Sequence, residues 1–483
     1  MRGKFKKAKV LFNTFNDKKL AYCSWKSNEH LEDGMAGMTD LDILVDGNQK
    51  EECEKVLKHL DFKQVYSPAW LQYPAIEDWI GLNEETGNLI HVHLHYKILT
   101  GKKLVKEQYI PWEHKVLNTR IFNDELEIFT TEPSLELIIL AIRVGIKTRV
   151  FTLFKKTKLP DNIIHELYYL KERSSKKRVR LLCIELFGNK RGDNLSELIY
   201  ALDLTANLQI ILSLKYFIYQ NLSKYKRFTF LGTSWRYFFY ASKVRFLKVL
   251  DRLKILSQPK KAFKPAGYVI GFLGIDGSGK TTLVKEIHEW LTPYLQVSNI
   301  YMGWNNKTIN FLKKIKRYFF RSGGGQYKGK NSPRESSLIT GIFALVLASI
   351  KKRKLRKAKK NRSKGMIVLS DRYPTARTPE GSSDGPMLRG ESDFWLYNLF
   401  FRIEEKIYKS IEENYFPNLV IKLNTSPEIA LKRKPNHDIT DLRKKNEILN
   451  SVHLEWSTVV EINTSKSLDE VILETKKMLW KNI

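Results

Sequence analysis

Gly274-Ile275-Asp276-Gly277-Ser278-Gly279-Lys280-Thr281-Thr282 has the spacing G-x-x-x-x-G-K-T. Phosphate chemistry calls for these residue types. Glycines let backbone N–H groups crowd around phosphate oxygens where a Cβ would collide. Lys280 is placed to meet the β- and γ-phosphates as a point charge, and Thr281 to offer its hydroxyl to Mg²⁺. The flanks agree with this reading. Tyr268–Leu273 is a short apolar run, which predicts a buried parallel strand. Leu283, Ile287, Leu291 and Leu295 recur every four residues, which predicts one face of a helix. A strand, a glycine loop and a helix N-terminus in succession form an anion site. Gly274, Gly277, Ser278, Gly279, Lys280, Thr281 and Thr282 are therefore the expected ATP-binding residues.

Downstream, Met366–Pro374 is an apolar strand running into Asp371-Arg372-Tyr373. An Asp at a strand's C-terminal end can hold Mg²⁺ or accept a proton, and the planar fork of an adjacent Arg can grip phosphate. Asn418–Asn424 reads as another strand. Ser426-Pro427-Glu428 then carries an N-cap, a Pro at the first helical position and an acid in the first turn. Val459–Asn463 predicts a strand, Thr464–Ser467 a loop and Leu468–Leu479 a helix. Lys351–Lys364 holds ten Lys or Arg and no acid, after an apolar helix at Leu338–Ile350. A solvated helix end and a patch for anionic lipid or a polyanionic substrate are both open for it.

These pieces together resemble the thymidylate kinase family of nucleoside monophosphate kinases. The resemblance rests on the glycine loop, Asp371-Arg372-Tyr373, Pro427–Arg433 and the last strand-loop-helix, over residues 266–483. It implies a parallel sheet with flanking helices, and ATP and Mg²⁺ as cofactors. It also implies a lid near Arg433–Asp441, adenine near Thr464 and Ser465, and an acceptor phosphate held by Arg372. Catalytic roles fall to Lys280, Asp371, Arg372 and Asp276, and Mg²⁺ ligation to Thr281 and Asp371. For Asp276 a loop-structuring hydrogen bond is equally open. Ile300–Asn306 stands where thymidylate kinases carry their Arg-Glu-Pro-Gly-Gly-Thr-like acceptor element, and Thr378–Gly390, with Asp384-Gly385-Pro386, also differs. The expected acceptor is accordingly a small molecule other than dTMP.

The N-terminal stretch, 1–130, carries a second constellation. Leu20–Trp25, Leu41–Val45 and Leu89–Tyr96 read as strands. The two-residue period places Asp40 with Asp42 on one face of their strand, and His91, His93 and His95 together on one face of theirs. Trp25-Lys26-Ser27-Asn28, Thr39-Asp40-Leu41-Asp42 and His93-Leu94-His95 together resemble uncharacterised bacterial nucleotidyltransferase-like domains. That resemblance implies an α+β domain with a metal site at Asp40, Asp42 and His93. Two departures stand out. Lys26-Ser27 lacks the usual preceding glycine, and His93 stands where a third carboxylate is usual. An altered metal site, a ligand-binding relic and a purely structural role all stay open. In the last of these Asp40 turns a strand and the histidines lie on a solvated sheet face.

Between the two, residues 131–260 read as a helical, basic segment, with helices from Leu135 and at about 161–173, 176–188 and 194–221. Thr205–Lys261 holds twelve Lys or Arg against one acid, and Tyr216–Phe246 holds twelve aromatics. That mixture suits a helical layer with aqueous lysines, an anionic membrane interface or single-stranded nucleic acid. No defined motif supports the last, so nucleic acid is not an expected partner. Ser257–Pro265 reads as the linker.

The whole chain is expected to be α/β. Its 483 residues exceed a single domain, and 42% hydrophobic content supports real cores. A net charge of +31 favours anionic partners without naming one. Cys23, Cys53 and Cys183 are widely spaced and without metal spacing, which fits a reducing compartment. No secretion signal is evident, and the uncharged run Ser336–Ile350 is shorter than a membrane span. A cytoplasmic enzyme is expected, with peripheral contact at the inner membrane face and homodimerisation both open. The expected function is ATP-dependent phosphoryl transfer to a nucleotide, or to a sugar or glycan intermediate of surface polysaccharide biosynthesis, the last by family analogy alone. Two alternatives are nucleotidyl transfer by the N-terminal domain, with the kinase preparing its substrate, and a non-enzymatic, nucleotide-gated membrane-surface module.

Overall fold

A computed structural model describes residues 3–148, 159–203, 208–253, 258–302, 333–374, 385–388, 395–451 and 454–483. Gly303–Asn306 and most of Thr378–Gly390, including Asp384, lie outside the described residues. The chain divides into two compact units, Met1–Lys260 and Lys261–Ile483.

The first unit is built on a mixed seven-stranded sheet. Its strands are β1 (Tyr22–Ser24), β2 (Leu41–Val45), β3 (Lys63–Val65), β4 (Ile76–Leu82), β5 (Leu89–His95), β8 (Ile121–Asn123) and β9 (Ile128–Thr130), in the order β3-β4-β5-β2-β1-β9-β8. A separate two-stranded sheet pairs β6 (Ile98–Thr100) with β7 (Gln108–Ile110). The three strands read from the sequence are present, with Leu20–Trp25 shortened to β1. The short polar-flanked strands β3, β8 and β9 and the Asp-bearing β4 were not expected.

Period-two alternation gives each face of this sheet its own core. Leu41, Ile43 and Val45 of β2, with Ile90, Val92 and Leu94 of β5, pack beneath the helices Lys6–Asp17 and Lys50–His59. Asp42, His91, His93 and His95 alternate onto the opposite face. On that face Cys23, Trp25 and Leu44 share a core with the helices Pro133–Lys147, Asp161–Arg173, Lys176–Phe187, Asn189–Ala201 and Leu208–Leu222. Residues 131–260, read from the sequence as a segment apart, thus belong to the same compact unit as the strands. The helix expected over 194–221 is two helices, and residues 204–207 between them lie outside the described ones. A further helix, Phe230–Arg252, follows, and Thr233 is its only fully buried residue.

The second unit holds a parallel five-stranded sheet: β10 (Tyr268–Leu273), β11 (Val297–Ile300), β12 (Ile367–Ser370), β13 (Leu419–Asn424) and β14 (Thr458–Asn463), in the order β11-β12-β10-β13-β14. Its β12 and β13 are almost wholly buried, as the continuous apolar runs require of strands covered on both faces. The first strand, β10, lies centrally between β12 and β13, so the chain order reverses beside it. Ligands of open parallel sheets bind at that crevice, beyond the strands' C-terminal ends. The helix after the glycine loop is Lys280–Leu291, with Leu283, Ile287 and Leu291 buried. Leu295 is buried too but lies just beyond the helix. Leu338–Ile350 and the basic run after it form one continuous helix, Pro333–Arg362. Lys351 is buried there and bonds the Tyr408 hydroxyl at 3.0 Å, so the basic run is not uniformly solvated.

Candidate functional site

The glycine loop sits where β10 ends and the helix Lys280–Leu291 begins. Gly277 and Gly279 have φ of +88° and +90°, backbone that a side chain rarely adopts. A Cβ on Gly277 would stand 2.5 Å from the Ala430 carbonyl oxygen. The helix Pro427–Arg433 therefore presses directly under the loop, and Ile275, Ala430 and Leu442 form a small apolar cluster that holds it. Ser426 caps that helix as expected, its hydroxyl accepting from the Ile429 N–H at 3.3 Å. Lys280 curls back and donates to the Gly274 and Ile275 carbonyls at 2.7 and 2.8 Å.

The register Gly271↔Ser370 carries β12 beside β10, so Asp371-Arg372 emerges next to the loop. Asp371 is buried and accepts the Met302 N–H at 2.7 Å. Asp276 lies 3.7 Å from Arg372 and 3.1 Å from Lys445. Burial raises its pKa, but Lys445, Lys280 and Arg372 outweigh that and hold it below the ordinary carboxylate range. An ionised, weakly basic Asp276 suits positioning better than proton abstraction. On the far side of the loop, Arg433 donates to the Thr464 carbonyl at 2.8 Å, and the Thr425 and Thr464 hydroxyls are hydrogen-bonded. The start of the expected lid thus meets the expected adenine loop. Ser465 is exposed, its N–H capped by Asn463 at 2.9 Å.

Two features fit a magnesium nucleotide. The Ser278 hydroxyl is buried with no hydrogen-bond partner among the described residues. Thr281 and Thr282 are exposed in the first turn of the helix that follows. Thr281 and Asp371 would hold Mg²⁺, which would neutralise charge on the phosphates. Lys445 was not expected from the sequence. It is one of three consecutive basic residues, Arg443, Lys444 and Lys445, on the helix Ile439–Ser451, and no local pattern sets it apart.

The first unit gathers a cluster of its own. The registers Asp42↔His93 and Asp78↔His93 set Asp42, His93 and Asp78 in one row across β2, β5 and β4. Asp42 Oδ1 lies 2.9 Å from Lys26 Nζ and 3.0 Å from His95 Nε2. The His93 ring lies between Asp42, 3.5 Å from Nδ1, and Asp78, 3.0 Å from Nε2. His91 bridges Asp40, 2.5 Å from Nδ1, and Asp78, 3.1 Å from Nε2. The histidines are therefore buried or half-buried among carboxylates, and the solvated-face reading does not hold.

Burial opposes charge throughout this cluster, yet Lys26, His93 and His95 hold Asp42 well below the ordinary carboxylate range. Burial also opposes charge on His93, but Asp42 and Asp78 outweigh it and raise its pKa to about 9. For His95 burial wins and lowers it to about 3. Ser27, the serine of the expected Gly-Ser pair, adopts φ +59°, a left-handed turn. A cavity of about 230 Å³ lined by Lys26, Ser27, His30, Thr39, Asp40 and Asp42 opens beside the row. Asp78 was missed because Ile76–Leu82 gives no clear strand alternation, although the run Trp79-Ile80-Gly81-Leu82 is an apolar signal.

No family model matches the chain. The uncharacterized ATP-binding protein YghR of Escherichia coli K12 is 25% identical over 219 residues, 43% of this chain and 85% of that protein. A second ATP-binding protein of that organism, YghS, is 26% identical over 214 residues, 42% and 89% of the two chains. The thymidylate kinase of Buchnera aphidicola is 24% identical over 227 residues, 45% of this chain and 97% of the enzyme. These similarities, with the loop geometry, support an ATP-binding, P-loop kinase-like region in the chain.

Proposed function

We propose that the second unit transfers a phosphoryl group from ATP to a small-molecule acceptor other than dTMP. The carrying observation is the loop itself: positive-φ glycines, a buried unpartnered Ser278 hydroxyl and Lys280 folded over the cradle, with Asp371-Arg372 delivered beside it by β12. In this reading Lys280 and Arg372 bind and orient the charged phosphates, and Asp371 is the proton acceptor. Asp276 fixes the loop through Lys445. Catalysis by such a site is mainly positioning and electrostatics. The departure of Ile300–Asn306 from the thymidylate kinase pattern favours a reassigned acceptor, another nucleotide or a sugar of glycan biosynthesis.

The test is ADP release with Mg²⁺-ATP and dTMP, beside a panel of other nucleotides and phosphosugars. Turnover confined to a panel member other than dTMP, and lost by on the order of 10²-fold or more in Lys280→Ala, is the expected result. Lys280-dependent turnover of dTMP would make this a thymidylate kinase and refute the altered acceptor.

A second reading draws on the row of Asp42, His93 and Asp78 beside a cavity: the first unit transfers nucleotides and the kinase unit prepares its substrate. Loss of nucleotidyl product in Asp42→Asn, with the kinase assay unchanged, supports it; retained product formation removes it.

A further inference from the structure

A nucleotidyltransferase-like resemblance implies Mg²⁺ held by carboxylates, and this cluster does not fit it. Asp42 is already neutralised by Lys26, and the row is interleaved with imidazoles. Mg²⁺ demands near-octahedral oxygen ligation and gains nothing from imidazole.

We propose that His91, His93 and Asp78 form a binding site for a borderline transition-metal ion of the Zn²⁺ class. The Nε2 atoms of both histidines converge on one oxygen, Asp78 Oδ1, at 3.1 and 3.0 Å. The two contacts to Asp78 match the roughly 3.3 Å that separates donors about 2.0 Å from a tetrahedral ion. The opposite ring nitrogens each face a carboxylate: His91 Nδ1 meets Asp40 Oδ1 at 2.5 Å and His93 Nδ1 meets Asp42 Oδ1 at 3.5 Å. Metal-bound histidines are held this way, the outer carboxylate fixing the tautomer that leaves the inner nitrogen's lone pair for the ion. Ser67 donates to the other oxygen of Asp78 at 3.2 Å, which keeps Oδ1 turned to the histidines. Asp40 Oδ2 lies 3.9 Å from His93 Nε2, and with Asp40 holding His91 Nδ1 the fourth position is left to a solvent ligand. Asp40 is also half exposed, which gives the ion an entry path from solvent.

The proposal does not depend on which unit is catalytic. Full-length protein, stripped with chelator and free of nucleotide, is titrated with Zn²⁺ by calorimetry and with Co²⁺ by visible absorption. One tight Zn²⁺ per chain is expected, with a four- or five-coordinate Co²⁺ spectrum and no displacement by a hundredfold excess of Mg²⁺. Asp78→Asn should weaken Zn²⁺ by on the order of 100-fold and Asp40→Asn by about 10-fold, whereas Asp371→Asn leaves the titration unchanged. Absence of stoichiometric binding by the unmutated protein, ready displacement by Mg²⁺, or unaltered affinity in Asp78→Asn each overturns the site. Should Asp78→Asn fail to fold, the unmutated titration and His93→Gln still decide.

A different observation carries a second proposal. On the helix Phe230–Arg252, Leu231, Trp235, Phe238, Phe239, Phe246 and Val249 fall on one side at helical spacing, each more than half exposed. The opposite side packs inward through Thr233 and through Tyr240, which contacts Trp70. Exposed Arg245, Lys248 and Arg252 border the apolar stripe on one edge, and Arg236 and Lys243 border it on the other. We infer that this stripe lies in the interface of an anionic lipid bilayer, with the basic edges at the headgroups. Among the described residues no helix is long and apolar enough to cross a membrane, so such contact would be peripheral. Co-sedimentation with phosphatidylcholine vesicles, with and without phosphatidylserine, tests it. Binding confined to the anionic vesicles and abolished in Trp235→Ser/Phe238→Ser/Phe246→Ser is expected. Absence of binding to anionic vesicles overturns it, as does a dimer in solution that the same triple substitution dissociates.

Discussion

Asp276, inside the glycine loop, is ion-paired to Lys445, 169 residues further along the chain, at 3.1 Å. The pair ties the loop to the helix that follows the expected lid. Both side chains keep some solvent contact, so the pair is screened and contributes about 1 kcal/mol at most. Asp276 has a depressed folded pKa, so its contribution is present above the unfolded value of 3.8 and is lost as pH falls through the lower folded value. Lys445→Ala should lower stability by no more than about 1 kcal/mol at pH 7 and by less at pH 2. Urea unfolding at the two pH values measures both.

Gly277→Ala should be worse than its small volume suggests. The residue sits at φ +88°, and its new Cβ would meet the Ala430 backbone oxygen at 2.5 Å. Backbone strain of this kind costs about 1–3 kcal/mol, and here the loop and the helix beneath it must separate. Denaturant midpoints report the loss. A melting temperature equal to that of the unmutated protein would show that the loop yields freely.

Glu136 makes stability pH-dependent in the opposite sense to most carboxylates. Burial raises its pKa to about 8, against hydrogen bonds from Asn28 and with Glu166 and Glu29 nearby. The folded state holds this proton after the unfolded chain has lost it. Its contribution is therefore complete below about pH 4.5 and declines as pH rises toward 8. Glu136→Gln should flatten the stability profile between those values. Unfolding free energies from pH 5 to 9 decide, and an unchanged slope would mean Glu136 ionises normally.

Asp42→Asn should destabilise the first unit by about 3 kcal/mol, because Lys26 is left largely buried without its counter-charge. Lys26→Met in the same background should restore part of the loss, since removing both charges relieves the uncompensated one. Additive losses in the double variant would show that the two charges do not interact.

Local patterns made much of the second unit legible. The apolar runs of β10, β12 and β13, the glycine loop, the Ser426-Pro427 cap and the four-residue spacing after Lys280 are short-range signals, each set by its own neighbours. In the first unit, the alternation of Leu41–Val45 and Leu89–His95 put the correct side chains on each face. Short strands without alternation, β3, β8 and β9, gave no such signal, since three residues are too few to show a period.

The sequence by itself determined the phosphate loop, its strand and its helix, because that chemistry lies within one continuous stretch, Tyr268–Leu291. Only the tertiary structure decided that Asp78 completes the histidine row, that Lys445 answers Asp276, and that the helices Pro133–Lys147, Asp161–Arg173, Lys176–Phe187, Asn189–Ala201 and Leu208–Leu222 share a core with the first sheet. Each depends on strand register or helix packing between residues far apart in the chain. A shift of one residue in the β4–β5 pairing would turn Asp78 to the other face, and no local pattern encodes that pairing.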